Sequence, residues 1–165
     1  MKKHVFVVGE AVFYPTAGVG AIEAEEDIFF GGECQQCYVI RIPYNRITIK
    51  VPKDKAVQNG LRPLLQGRKI KDLFRVLGER SGERPVGHWA DHYKDLERRI
   101  QSGCCLEIGA VVRDLTRLKA GGGLSFEEAR LLETASGYLS REVAAVEGIA
   151  PEIALDRIRM SIVGV

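Results

Sequence analysis

Gly60-Leu61-Arg62-Pro63-Leu64-Leu65-Gln66-Gly67-Arg68-Lys69-Ile70-Lys71-Asp72-Leu73-Phe74-Arg75-Val76-Leu77 is where the texture of the chain changes. Gly60 to Pro63 punctuates a β-rich stretch. Beyond it, Ile70, Leu73, Phe74 and Leu77 fall at i, i+3, i+4 and i+7, one face of a helix. The chain therefore reads as two segregated parts, an α+β organisation with domains over 1–65 and 68–165.

Upstream, the apolar runs are short and β-branched. Val5–Val8, Ala11–Tyr14 and Gly18–Ala24 read as strands. Phe29-Phe30, Gly31-Gly32 and Cys37–Ile42 read as a hairpin, because paired glycines suit a two-residue turn. Arg46–Pro52 alternates apolar and polar residues, the period of a half-buried strand. Short strands at 8–12-residue spacing predict a small barrel or sandwich. About 60 residues make a marginal core, so this module is expected to lean on a neighbour or partner.

Downstream, four more apolar stripes follow. Trp89, Tyr93, Leu96 and Ile100 form one. Leu106, Ala110, Val111, Leu115 and Leu118 form the next, ended by Gly121-Gly122-Gly123. Ser125-Phe126-Glu127-Glu128 has capping-box spacing and opens a helix with Ala129, Leu132, Ala135, Leu139, Val143 and Val146 inward. Pro151 opens the last, with Ile153, Leu155, Ile158 and Ile162. The expectation is a compact bundle of about five helices.

Composition bounds the function. The chain has 165 residues with 24 Lys+Arg and 22 Asp+Glu, a net charge of +2. That excludes nucleic-acid binding by bulk charge, though not a local basic face. Residues 1–65 carry +1, residues 66–119 carry +4 and residues 120–165 carry −3. The surplus lies in the middle, around the Trp89 stripe. No apolar run reaches the ~20 residues of a membrane span, and no signal-peptide pattern opens the chain. The expectation is a cytoplasmic protein with no membrane partner.

Catalytic signatures are weak. Cys34-Gln-Gln-Cys37 has metal or thioredoxin-type spacing, but it runs into a strand, and adjacent Cys104 and Cys105 would chelate poorly. His88 and His92 are spaced i, i+4, yet no H-E-x-x-H surrounds them. Neither Gly18-Val19-Gly20 nor Gly121–Gly123 completes a phosphate loop. No enzyme, metal or cofactor is expected.

Two features suggest binding. The lone Trp89 is followed by Lys94, Arg98 and Arg99 at helical spacing, with His88 and His92 beside it. Cations next to an exposed aromatic suit DNA, where the ring wedges at the minor groove; a core tryptophan is the alternative. Ile47–Pro52 could offer free backbone groups if it lies at a sheet edge, or be an internal strand.

Together these segments resemble the CarD/CdnL family of bacterial transcription regulators. Gly9–Ile22 follows the family's opening, roughly G-[DE]-x-V-[VF]-Y-P-x-H-G-V-G-x-[IV]. Tyr38–Arg41, Ile47–Pro52, Gly60–Pro63, Trp89-x-x-x-Tyr93-Lys94, Ala110–Leu115 and Gly123–Leu132 match in order, over about residues 5–147. The N-terminal part is also similar to the polymerase-binding module of transcription-repair coupling factor. The resemblance implies a Tudor-like small β-barrel docking on the RNA polymerase β subunit through Thr48, Ile49, Lys50, Val51 and Pro52. It implies a helical domain touching promoter DNA near the upstream edge of the bubble, with Trp89 as wedge and Lys94 as a basic contact. On this resemblance the protein is expected to stabilise the open complex without reading sequence, to act as a monomer and to join the nucleoid through polymerase. Ala17 replaces a frequent His, while Asp91 and Ala129 replace frequently basic residues. His88, His92, Arg98, Arg99 and Arg130 are candidates to compensate. The alternative is a polymerase-binding protein with little or no DNA contact.

Overall fold

The computed structural model describes residues 4–81 and 89–164, with the backbone alone at positions 30, 89 and 90. It divides into two compact units, Met1–Leu64 and Leu65–Val165.

The first unit is a β module. Strands β1 (Ala11–Tyr14), β2 (Gly18–Phe30), β3 (Glu33–Ile42), β4 (Ile47–Pro52) and β5 (Arg62–Pro63) form one antiparallel sheet in the order β4-β3-β2-β1-β5. Among the described residues, end strands β4 and β5 do not pair with each other. Two-residue β5 is too short to close the hydrogen-bonded circuit. Val12, Ile22, Tyr38, Ile40, Ile42, Val51 and Leu61 fill the core.

Gly31 and Gly32 both have positive φ, 61° and 83°, and join β2 to β3 as expected of a tight hairpin. Both strands run further toward this turn than the apolar pattern indicated. Glu25-Glu26-Asp27 and Gln35-Gln36 lack the alternation of a half-buried strand, yet they pair across the ribbon. Gly20 is required by close approach: a Cβ there would lie 2.6 Å from the Arg41 carbonyl oxygen.

Val5–Val8 is not a strand. The run uses one side chain, Phe6, which is 1% exposed, while Val5, Val7 and Val8 face outward. The Phe6 N–H donates to the Tyr38 hydroxyl at 3.3 Å, and the two rings meet edge-on at 5.5 Å. Gly9, at φ 93°, then turns the chain into β1.

The second unit holds helices α1 (Gly67–Gly78), α2 (Trp89–Gln101), α3 (Cys105–Gly122), α4 (Phe126–Glu147) and α5 (Pro151–Val163). Helix α3 touches all four others. Its burial therefore spreads well beyond one stripe, taking in Cys105, Ile108, Val112 and Arg113 as well as Ala110, Val111 and Leu115. Leu106 and Leu118, expected inward, are only half-buried. Gly109 lets α1 approach, since a Cβ there would lie 2.6 Å from Leu73 Cδ1.

Ser125 and Glu128 form the expected capping box, each side chain accepting the other's backbone N–H at 3.1 Å. Two inward assignments fail. Ala129 is exposed, because Glu128 takes the buried position beside it. Ile153 is 53% exposed, and Ala154 packs inward in its place.

Two arginines on α3 close helix ends. Arg113 donates to the Val76 carbonyl at 3.0 Å. Arg117 reaches the carbonyls of Leu77, Glu79 and Ile162, plus the Ser81 hydroxyl. Terminal carbonyls have no partner within their own helix; the Glu79 N–H meets Val76, and the guanidinium groups add donors there and at Leu77, Glu79 and Ile162.

Candidate interaction surfaces

Strand β4 pairs with β3 alone, and its outer side carries no strand among the described residues. That settles the alternative left open by its pattern: Ile47–Pro52 is an edge. Its register is Ile47↔Ile42, Ile49↔Ile40 and Val51↔Tyr38 on one face, and Thr48↔Arg41, Lys50↔Val39 and Pro52↔Cys37 on the other. The first face adjoins the core: Val51 is buried and Ile49 half-buried. Ile47, at the strand's start, remains 41% exposed. Thr48 and Lys50 are exposed on the opposite face.

This face carries charge and hydrogen-bonding groups. The Thr48 hydroxyl accepts from Arg41 Nη1 at 3.4 Å. Lys50 Nζ lies 2.9 Å from Glu26 Oε2 on β2. Nearby, Lys53 pairs with Glu25 at 2.9 Å and lies over the Tyr38 ring. Pro52 offers no N–H, and Lys50 is charged; both discourage indiscriminate pairing at an edge. The five residues singled out from sequence thus form one continuous border, with polar and apolar side chains on alternate faces.

The Cys34–Cys37 pair does not converge. Three residues apart on a strand, the two thiols point to opposite faces, Cys34 opposite Phe29 and Cys37 opposite Glu26. Cys34 is exposed and Cys37 buried. Burial, then the Asp54 carboxylate, pushes the Cys37 thiol pKa up, while Lys50 opposes the shift and Glu26 adds to it. Among the described residues, no group of three or more His, Cys, Asp or Glu is arranged to hold a metal.

In the helical unit, α2 begins at Trp89 and is anchored by buried Leu96 and Ile100. His88 and the Trp89 side chain lie outside the described residues. Lys94 and Arg98, spaced i, i+4, are exposed; His92 and Arg99, spaced i, i+7, are partly so. Arg98 Nη2 donates to Asp95 Oδ1 at 2.7 Å. That bond chiefly holds the Asp95 carboxyl below its ordinary pKa and raises that of Arg98.

Lys94, Arg98 and Arg99 are matched on α2 by Asp91, Asp95 and Glu97, so the helix is formally neutral. The positive surplus of the middle segment therefore does not sit around Trp89. Asp91 and Ala129 are both exposed, so these departures alter surface charge; Ala17 is buried in the β core. Sequence reasoning missed the structural use of Arg113 and Arg117. Their only signal was spacing on a helix otherwise read as apolar.

No helix among the described residues is long and apolar enough to cross a membrane. Comparison with known proteins gives a consistent result for both units. Residues 6–65 match the CarD-like/TRCF RID domain, and residues 72–159 match the CarD C-terminal domain. The chain is 32% identical over 145 residues to a putative transcription factor, YdeB, of Bacillus subtilis (strain 168), covering 88% of this chain and 94% of that protein. With both domains matched in order and a relative aligned almost end to end, the chain belongs to the CarD family of transcription regulators that interact with RNA polymerase.

Proposed function

We propose that this chain is a non-enzymatic regulator that stabilises the promoter open complex while bound to the polymerase β subunit. The β unit, residues 1–65, binds polymerase by adding β4 to a strand of the β subunit. The helical unit, residues 68–165, touches promoter DNA near the upstream edge of the bubble without reading its sequence.

The observation that carries the reading is the free outer edge of β4. Strand addition draws affinity from main-chain hydrogen bonds and specificity from alternate side chains. Thr48 and Lys50 supply that specificity, and Ile47, Ile49, Val51 and Pro52 border the edge. Tethering then raises the effective concentration of a weak DNA contact. A factor that favours open over closed complex by about 1.4 kcal/mol shifts their ratio about tenfold. The chain works as a monomer, needs no cofactor and joins the cytoplasmic nucleoid through polymerase.

The test combines pull-down of the β subunit with open-complex lifetime on a promoter. Wild-type protein is expected to bind the subunit and lengthen the lifetime; a Lys50/Pro52 double variant is expected to do neither. Retained binding by that variant refutes the β4 assignment.

The formal neutrality of α2 and the exposed Asp91 favour a second reading, polymerase binding with little DNA contact. A polymerase-dependent effect without any change in the DNA footprint is its signature.

A further inference from the structure

The cations of the middle segment are unevenly engaged. Arg113 and Arg117 close helix ends, and Arg98 is bound to Asp95. Lys94 and Arg99 share their helix with three carboxylates. Helix α1 differs: it carries Arg68, Lys69, Lys71 and Arg75 against a single carboxylate, Asp72.

These cations are arranged. Ile70, Leu73 and Leu77 face the core. Arg68, Lys71 and Arg75, spaced i, i+3 and i+7, form a stripe on the opposite side, and Lys69 flanks the buried face. All four are exposed. Arg68, Lys69 and Lys71 have no ion pair among the described residues, and Arg75 meets Asp72 only at 3.8 Å.

At its N-terminal end, where Arg68 and Lys69 lie in the first turn, α1 also runs against the needs of its own helix, whereas Arg75 sits in the last turn, where a cation suits the dipole. The first turn of α1 has no acidic residue, and Gln66 makes no side-chain cap. Cations there oppose the positive end of the helix dipole. A local rule broken without a structural return points to function.

We infer that the Arg68–Lys71–Arg75 ridge of α1 is the principal phosphate-contacting surface of the helical unit. This rests on the DNA contact proposed above and assigns most of its electrostatic part to α1 rather than α2. The ridge spans about 10 Å at 1.5 Å per residue. One strand of a duplex presents about three phosphates over that length. Three mobile cations facing a row of phosphates bind backbone without base readout, which suits a regulator acting across promoters.

The test is fluorescence anisotropy of the full chain with a fork-junction duplex, from about 25 to 200 mM salt, the range over which phosphate contacts weaken steeply. Arg68→Ala/Lys71→Ala/Arg75→Ala is expected to weaken binding at least about tenfold at low salt. It should flatten log K against log salt by about 2–3, since each lost phosphate contact removes about 0.9. Arg98→Ala should flatten it by less than about 1. The Tm of the triple variant should hold or rise, which separates a binding role from a structural one. A wild-type chain that binds and a triple variant of unchanged slope overturn this inference alone. A wild-type chain with no salt-dependent binding overturns it together with the DNA reading. A triple variant that keeps its slope but loses polymerase assigns the ridge to an acidic protein surface and overturns the inference too.

Discussion

Lys50 on β4 reaches across strand β3 to Glu26 on β2, with Nζ 2.9 Å from Oε2. The pair ties the middle of the edge strand to the interior of the sheet. Both side chains are about half exposed, 50% and 46%. An exposed pair of this kind contributes about 0–1 kcal/mol, so a partner carboxylate can take over Lys50 at small cost.

Lys50→Glu sets two carboxylates against each other and reverses the charge at the edge. We expect β-subunit affinity to fall at least about tenfold, which is about 1.4 kcal/mol, while the protein itself loses no more than about 1 kcal/mol. Glu26→Gln releases Lys50 and should leave affinity equal or higher. Calorimetric titration with the isolated β-subunit lobe reads both. A fall in both variants would mean that the ion pair, rather than Lys50, is what the partner recognises.

The four thiols should divide into two classes. Cys34 and Cys104 are exposed, whereas Cys37 and Cys105 are buried. Native protein should take up two equivalents of a thiol reagent quickly, and all four after denaturation. Cys37 has a second protection, because its raised pKa lowers its thiolate fraction at any given pH. The linked stability effect follows from the same direction. A group held protonated in the fold supports stability below the unfolded thiol pKa, roughly 8.5. That support is lost as pH rises through the higher folded value. Urea midpoints of wild type and Cys37→Ser should therefore diverge less at pH 10 than at pH 7, and a parallel pair of profiles counts against the burial argument.

Arg117 should be a stability residue. Its guanidinium donates to the Glu79 carbonyl at 2.6 Å and the Ser81 hydroxyl at 2.8 Å. It also serves Leu77 and Ile162. Arg117→Met leaves several carbonyls without a protein donor, and we expect a loss of about 2–4 kcal/mol in urea unfolding. Lys should rescue little of it, since one ammonium cannot reproduce a fork of donors. A neutral Arg117→Met would show that water satisfies those carbonyls equally well.

The fold was legible wherever one element has one buried face. Ile70, Leu73 and Leu77 on α1 obeyed the helical period, and Gly31-Gly32 marked its turn by composition alone. Legibility failed where burial is not periodic. Helix α3 is contacted by all four other helices, so Ile108 and Val112 are as buried as the expected stripe. Val5–Val8 looks like a strand, but a single plug, Phe6, accounts for its packing. The β4 segment was legible as a strand, while its edge position depends on pairing order, which a one-dimensional pattern does not carry. The charge count placed the surplus around Trp89, whereas α2 is formally neutral and α1 carries four cations against one carboxylate. Knowing which cations are engaged requires their partners, and the carbonyls that Arg113 and Arg117 reach lie more than thirty residues away in sequence.

Trp89→Ala should separate the two halves of the proposed mechanism. Trp89 opens α2, and Leu96 and Ile100, about two and three turns further on, fix that helix in the core. The helix should therefore remain in place when the ring is removed. Polymerase binding, assigned above to β4 in the other unit, should not change. Open-complex lifetime should fall about five- to tenfold, equivalent to about 1–1.4 kcal/mol, because a ring at a distorted step replaces stacking lost there. Trp89→Phe, which keeps an apolar wedge, should retain part of the effect. Combined with the α1 triple variant, Trp89→Ala should act additively, since the ring contributes contact and the ridge contributes charge. An unchanged lifetime for Trp89→Ala removes the wedge and leaves phosphate contact as the whole of the DNA interaction.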